Sequence, residues 1–257
     1  MKVVILAGGM GSRISEESIL KPKPMIEIGD TPMLLHIMNW YSHFGFNDFI
    51  IACGYKGYVI KEYFSNYYLH NSDISFDFSA QNKITIHSNI AQPWKVTLVD
   101  TGLNTMTGGR IKRIQKYVGN EQFMLTYGDG LSDLDINKLL EFHNKSKKII
   151  TITASLRPGR FGFLNIDDSS KILKFSEKDK SDGGYINGGF MVCHPQIFNY
   201  LKSDDTVFEK EPLENLAKEG QLMAYKHNGF WQCMDTQRDK ALLEELWMGG
   251  NAPWKVK

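Results

Sequence analysis

The sequence predicts an α/β fold in which a mixed, mostly parallel sheet is flanked by helices and followed by a strand-rich C-terminal lobe. Three observations predict it. Short β-branched runs alternate with stretches of helical periodicity along the 257 residues. Val3 to Leu6 is an uninterrupted apolar run that ends at Gly8-Gly9, the pattern of a strand covered on both faces. Beyond residue 150, runs of strand character outnumber helical ones.

After that first strand, Thr31-Pro32 reads as a helix start, with Thr31 as cap and Pro32 in the first turn. Leu34, Leu35, Met38 and Tyr41 give this helix its apolar face, and Gly45 stands where it should stop. Phe49 to Gly54 reads as a strand and turn. Tyr58 to Tyr68 is helical, with Val59, Ile60, Tyr63, Phe64 and Tyr67 spaced for burial. A less regular section follows. Val96 to Asp100 is the next strand, then Gly108-Gly109 and a basic helix from Arg110 to Val118. Phe123 to Tyr127 is a strand ending in Gly128-Asp129-Gly130, followed by a helix at Ile136 to His143 and a strand at Ile149 to Ser155. Phe161 to Ile166, Ile172 to Phe175, Ile186 to Cys193 and Met223 to His227 supply the later strands, and Asp239 to Trp247 a last helix. No repeat, low-complexity tract or linker divides the chain. We therefore expect one domain over 1–257, with a strand-rich C-terminal substrate lobe.

Composition narrows the function. Hydrophobic residues at 42% and charged ones at 23% fit a globular protein. A net charge of +1 argues against nucleic-acid binding by phosphate neutralisation, which needs a concentrated basic face. Cys53, Cys193 and Cys233 are odd in number, lack CxxC spacing, and read as buried thiols of a cytoplasmic protein. The apolar start yields to Gly8-Gly9 and Arg13 too early for a signal peptide, and no run approaches the ~18 apolar residues of a membrane span.

The chemistry begins at Leu6-Ala7-Gly8-Gly9-Met10-Gly11-Ser12-Arg13. Glycines after a strand let the backbone approach a ligand and turn successive N–H groups toward phosphate oxygens, and Arg13 adds a bidentate fork. By themselves they are equally compatible with a tight turn beside a solvated arginine. No Walker loop is present, because no Lys-Ser or Lys-Thr follows the glycines. A dinucleotide fingerprint fails too, since Ile14 stands where its third glycine belongs. Lys21-Pro22-Lys23-Pro24-Met25 then sets two lysines in a proline-stiffened segment, where an ammonium can face a phosphate at small entropic cost.

Phosphoryl and nucleotidyl transfer need charge neutralised in the transition state, and Mg²⁺ commonly binds one or two carboxylates plus substrate phosphates. Asp129 ends a strand between two glycines, though an ordinary turn aspartate has the same look. Asp133 and Asp135 read as helix N-cap groups. A second carboxylate must come from far away. Asp235, in Trp231-Gln232-Cys233-Met234-Asp235-Thr236, is available, and capping the last helix is the competing role for it.

Gly8 to Met25 resembles the signature of the sugar nucleotidyltransferases, GGxGTRL followed by PKPM, with Ser12 for Thr and Ile14 for Leu. The resemblance implies a Rossmann-like nucleotidyltransferase fold, in which 1–150 mainly binds the nucleotide and 151–257 mainly binds the sugar phosphate and supplies the second metal ligand. It implies that Leu6, Ala7, Gly8, Gly9 and Met10 line the base and ribose, and that Gly11, Ser12 and Arg13 hold the β- and γ-phosphates. Lys23 would reach the α-phosphate, so that Arg13, Lys23 and Asp129 carry catalysis. Asp129 and Asp235 would bind Mg²⁺ together, with Gly128 among the nucleotide contacts. A non-catalytic sensing relative would lack Arg13, Lys23, Asp129 or Asp235, and all four are here.

Further segments resemble the glucose-1-phosphate cytidylyltransferases: Leu98 to Gly102, Met106 to Arg110, Ile186 to Phe190, Gly229 to Thr236 and Ala252 to Lys255. This implies CTP and a sugar 1-phosphate as substrates, with CDP-glucose or a related CDP-sugar as product. It also implies a homo-oligomer, a trimer or hexamer, for which aromatic-rich Tyr63 to His70 is a candidate contact or else core. Thr105 and Arg110 fall where those enzymes contact the nucleotide, although Arg110 also fits a solvated basic helix face. Glu177, Lys178, Asn187 and Gly188 would receive the sugar phosphate, with Asp179 replacing the proline usual after the Glu-Lys pair.

Overall fold

Residues alternate between two cores along the first strand, β1 (Lys2–Ala7): Val3, Ile5 and Ala7 join one hydrophobic cluster, Val4 and Leu6 the other. Successive side chains of a strand point to opposite faces, so an unbroken apolar run forces cover on both sides. The computed structural model describes residues 1–10, 14–79, 81–156, 163–176 and 184–256.

A short helical turn α1 (Ser15–Ser18) and a 3-10 turn at Lys23–Met25 lead to a small antiparallel pair, β2 (Glu27–Ile28) with β3 (Thr31–Pro32). Thr31-Pro32 is therefore strand, and the helix predicted from it, α2 (Met33–His43), begins two residues later with no side-chain cap. Gly45 ends it with φ +87, a conformation that glycine adopts without strain. Next come β4 (Asp48–Cys53) and α3 (Gly57–His70), whose Tyr63, Phe64 and Tyr67 pack on the core while Tyr68 and Leu69 stay exposed. The section read as irregular holds an antiparallel ribbon, β5 (Ser72–Asp77) with β6 (Lys83–Asn89). It is mostly exposed, so no buried face imprints a clean alternation on its sequence.

β7 (Lys95–Asp100) is followed by α4 (Thr107–Arg113) and α5 (Gln115–Val118), two short helices in place of the single one expected. Gly108 and Gly109 lie inside α4: a Cβ on either would stand 2.7 or 2.5 Å from a backbone carbonyl, that of Thr206 or Asp204. Close docking of this helix on the 203–207 loop requires glycine at both. β8 (Phe123–Tyr127), β9 (Gly130–Ser132) and α6 (Ile136–Ser146) follow, and the Asp135 carboxylate caps α6 as read, accepting from the Lys138 amide. The later elements are β10 (Ile150–Leu156), β11 (Phe163–Ile166), β12 (Ile172–Ser176), β13 (Tyr185–Cys193), a 3-10 turn at Pro195–Tyr200 and α7 (Glu211–Lys218). β14 (Leu222–His227), β15 (Trp231–Cys233) and α8 (Gln237–Met248) complete the order, after which the chain runs on to bury Trp254.

Among the described residues nine strands form one mixed sheet, ordered β12-β11-β13-β8-β1-β4-β7, with β10 joined to β13 and β14 joined to β10. β8, β1, β4 and β7 are mutually parallel, and β13 attaches antiparallel to β8. Strands from the C-terminal half thus extend the sheet begun by the N-terminal half. α2, α3, α6 and α8 cover one face and α4, α5 and α7 the other. The chain runs outward from β1 to β4 to β7 and then returns to β8 on the other side of β1. That reversal opens a crevice at the carboxyl ends of β1 and β8, the place where open α/β sheets bind ligands. No helix among the described residues is long and apolar enough to cross a membrane.

Candidate active site

A cavity of about 400 Å³ fills that crevice. Of the residues singled out above, Leu6, Ala7, Gly8 and Gly9 line it from the end of β1, and Thr105 and Arg110 from the loop and helix after β7. Gly128 and Asp129 enter from the end of β8, Lys23 from the proline-stiffened segment and Asp235 from the turn before α8. Met10 is outside the lining and exposed. Gly11, Ser12, Arg13, Glu177 and Lys178 lie outside the described residues. Pro24, Met106, Thr107 and Tyr127 also line the cavity; they stand in motif segments, but no role was expected of them individually.

Local sequence explains the shape of the walls. Gly128 donates its N–H to the Leu6 carbonyl at 3.0 Å, and a Cβ there would meet that oxygen at 2.9 Å and the Pro24 ring at 3.0 Å. A Cβ on Gly8 would meet the Arg110 guanidinium at 2.3 Å. Arg110 is buried, not solvated. Its Nη1 donates to the Thr101 hydroxyl and the Gly102 carbonyl, both at 2.7 Å, and its Nη2 to the Leu103 carbonyl at 3.1 Å. Burial pulls it below the ordinary guanidinium value, and Arg113 adds to this, yet an arginine so shifted stays charged at neutral pH. The structure therefore makes Arg110 the tie that holds the 101–103 loop against Gly8 at the cavity's edge.

Charge concentrates on the floor. Lys23 Nζ donates to Asp129 Oδ2 at 2.6 Å and to Asp235 Oδ1 at 2.5 Å. Burial works against the ammonium, but the two carboxylates outweigh it and hold Lys23 above the ordinary lysine range. The capping role considered for Asp235 belongs to its neighbour. The Thr236 hydroxyl accepts from the Asp239 amide and the Asp239 carboxylate accepts from the Thr236 amide, a capping box that starts α8. Asp239 also accepts from the Asp235 N–H at 3.2 Å, which fixes the turn.

Asn187 and Gly188 are on β13 behind this floor. Asn187 Oδ1 accepts from the Gly189 N–H at 2.9 Å and its amide meets the Tyr127 phenol, while the Gly188 carbonyl accepts from Trp231 Nε1 at 2.6 Å. Neither lines the cavity itself. Burial, reinforced by Glu209, holds the Tyr127 phenol well above its ordinary value, so this group stays protonated.

Among the described residues nucleophilic catalysis finds no support. All three cysteines are free and buried, and burial, with Asp129 next, pushes the Cys233 thiol up to about 12. Ser132, Asp133 and His227 do meet, at 3.2 and 2.9 Å, but both partners approach the same imidazole nitrogen, so the histidine cannot pass a proton between them.

The family model described as nucleotidyl transferase matches residues 2–245. The chain is 56% identical over 257 residues to the glucose-1-phosphate cytidylyltransferase of Salmonella typhi, covering 100% of this chain and 99% of that protein. It is 43% identical to a probable glucose-1-phosphate cytidylyltransferase of Bacillus subtilis, over the full length of both. Among solved structures, HddC from Yersinia pseudotuberculosis superposes with a TM-score of 0.76 at 25% identity, covering 96% of this chain and 99% of that one. With a glycine-walled cavity at the switch point of its sheet, floored by two aspartates and a lysine, the chain belongs to the nucleotidyl transferase family.

Proposed function

We propose that this chain transfers a cytidylyl group from CTP to α-D-glucose 1-phosphate, forming CDP-glucose and releasing pyrophosphate. The observation that carries it is the convergence of Asp129 and Asp235 on one ammonium in the floor of the cavity. Two carboxylate oxygens 2.6 and 2.5 Å from a single cationic centre suit a divalent cation, with Lys23 Nζ standing in for it. Among the described residues no cluster of three or more acidic, histidine or cysteine ligands exists, which fits Mg²⁺ completing its shell with substrate phosphates and water. Asp129 and Asp235 would hold Mg²⁺, which when bound would supply positive charge to offset the negative charge that develops in the transition state.

The residues do the rest. A sugar 1-phosphate is largely dianionic at neutral pH, because its second pKa is about 6, so no base is needed to activate it. One of its oxygens attacks the α-phosphorus of CTP, and the α–β bridging P–O bond breaks with its electron pair leaving on pyrophosphate. Lys23, released from the carboxylates, places its ammonium against the α-phosphate where negative charge builds. Gly8 and Gly9 let the backbone approach the nucleotide, and Thr105 and Arg110 form the wall beside it. By resemblance Arg13 serves the triphosphate, and Glu177, Lys178, Asn187 and Gly188 the sugar phosphate. The same reading includes a single domain, a homo-oligomer of three or six copies and a cytoplasmic location.

Pyrophosphate release from CTP, UTP, dTTP, GTP and ATP, each against several sugar 1-phosphates with Mg²⁺, tests the assignment. CTP with glucose 1-phosphate should give the highest kcat/KM. A higher value with another nucleotide, or with another sugar phosphate, would replace the corresponding half of the proposal.

A further inference from the structure

Glu209 lies just before α7, outside the cavity lining, and no motif singles it out. Its two carboxylate oxygens are taken by two hydroxyls that do line the cavity, one on α4 and one on β8. Thr107, at the start of α4, donates to Oε2 at 2.6 Å, and Tyr127, at the end of β8, donates to Oε1 at 2.5 Å. An ionised carboxylate only accepts, so both hydroxyl hydrogens must point at Glu209. Their remaining lone pairs are then set for donors: Thr107 Oγ1 accepts from the Phe208 N–H at 2.9 Å, and the Tyr127 oxygen accepts from the Asn187 amide. Asn187 is fixed in turn, because its Oδ1 is held by the Gly189 N–H. The Tyr127 ring lies where a Cβ on Gly189 would come within 2.6 Å. Glu209, the one group in this chain of hydrogen bonds that cannot donate, thus orients both hydroxyl hydrogens.

We propose that Glu209 is a positioning residue for the transfer reaction, locking Thr107 on the nucleotide wall to Tyr127 on the wall that carries Asp129, with Asn187 behind it. It acts through these two hydroxyls and touches neither substrate. Thr107 opens the helix whose Arg110 holds the 101–103 loop, and Tyr127 is two residues before Asp129. Glu209 thereby sets the separation of the two substrate-bearing walls. This assignment rests on the cavity being the site of cytidylyl transfer.

Glu209→Gln tests it. The amide keeps the volume and one acceptor but presents a donor to a hydroxyl that is already donating, so one hydroxyl must turn its hydrogen away. The expected result is a fall of about tenfold in kcat/KM toward both CTP and glucose 1-phosphate, with a melting temperature within about 3 °C of wild type. Combined with Tyr127→Phe, the double variant should lose little more than the worse single one, because both break the same contact. Thr107→Val reads that contact from its other end and should raise KM for CTP alone. Wild-type kcat/KM in Glu209→Gln, or losses that add in full with Tyr127→Phe, would overturn the assignment. Should wild type release no pyrophosphate at all, the reaction is wrong and the positioning role is read by calorimetry with CTP, where Glu209→Gln must still weaken binding about tenfold.

Discussion

Lys23 and Asp235 are 212 positions apart in the chain and 2.5 Å apart in the fold. The proline-stiffened segment brings the lysine to the carboxyl end of β1, and the capping box of α8 fixes the turn that bears the aspartate. Asp129, 106 positions from Lys23, completes the trio at 2.6 Å.

Asp129→Asn and Asp235→Asn should each lower turnover by about a thousandfold, the scale of losing a metal's charge stabilisation. Lys23 keeps one carboxylate partner in either variant, so the fold should survive. Steady-state pyrophosphate release with a thermal melt checks both; rates near wild type would remove the metal role from that residue.

Lys23→Met should expose the two carboxylates to a cation. Without nucleotide, Mn²⁺ must displace a buried ammonium from the wild-type chain, and the variant removes that competitor. Electron paramagnetic resonance titration should show Mn²⁺ binding about tenfold tighter to the variant alone, while turnover falls. Equal affinities would mean that the ammonium does not compete for this position.

Gly8→Ala should damage the nucleotide wall. The added Cβ falls 2.3 Å from an Arg110 guanidinium that cannot retreat without releasing the Thr101, Gly102 and Leu103 oxygens. We expect a loss of about 1–3 kcal/mol in stability and a clear rise in KM for CTP, read by urea melts and initial rates.

Acid should weaken the fold through His143. Burial, with His194 adding to it, brings its value down to about 4 from 6.5, and its Nδ1 lies 2.9 Å from the Thr151 hydroxyl. Between those values the unfolded chain binds the proton and the folded chain does not. Stability present at pH 7 is therefore lost as pH falls from about 6.5 toward 4, by roughly 2 kcal/mol after allowance for screening. Urea midpoints at pH 7 and pH 5 should separate less in His143→Gln than in wild type.

Much of this was written locally in the sequence. The apolar runs of β1, β4 and β8 announce strands because period-2 side chains must be buried on both faces, and Gly8-Gly9 marks where backbone can approach a ligand. Lys23, Asp129 and Asp235 could each be proposed because ion-binding chemistry demands those groups. Other choices depended on what packs against what. Thr31-Pro32 pairs with Glu27-Ile28 instead of starting a helix, and Gly108-Gly109 enter α4 because the 203–207 loop comes close enough to exclude any Cβ. The ribbon after α3 has no buried face and so left no clear pattern to read. Whether Asp235 caps a helix or meets Lys23, whether Arg110 faces water or a loop, and that Glu209 joins Thr107 to Tyr127 are contacts between residues far apart in sequence. Propensity and periodicity act over one or two turns of chain, whereas these pairings follow from the order of strands in the sheet, which only the assembled tertiary structure decides.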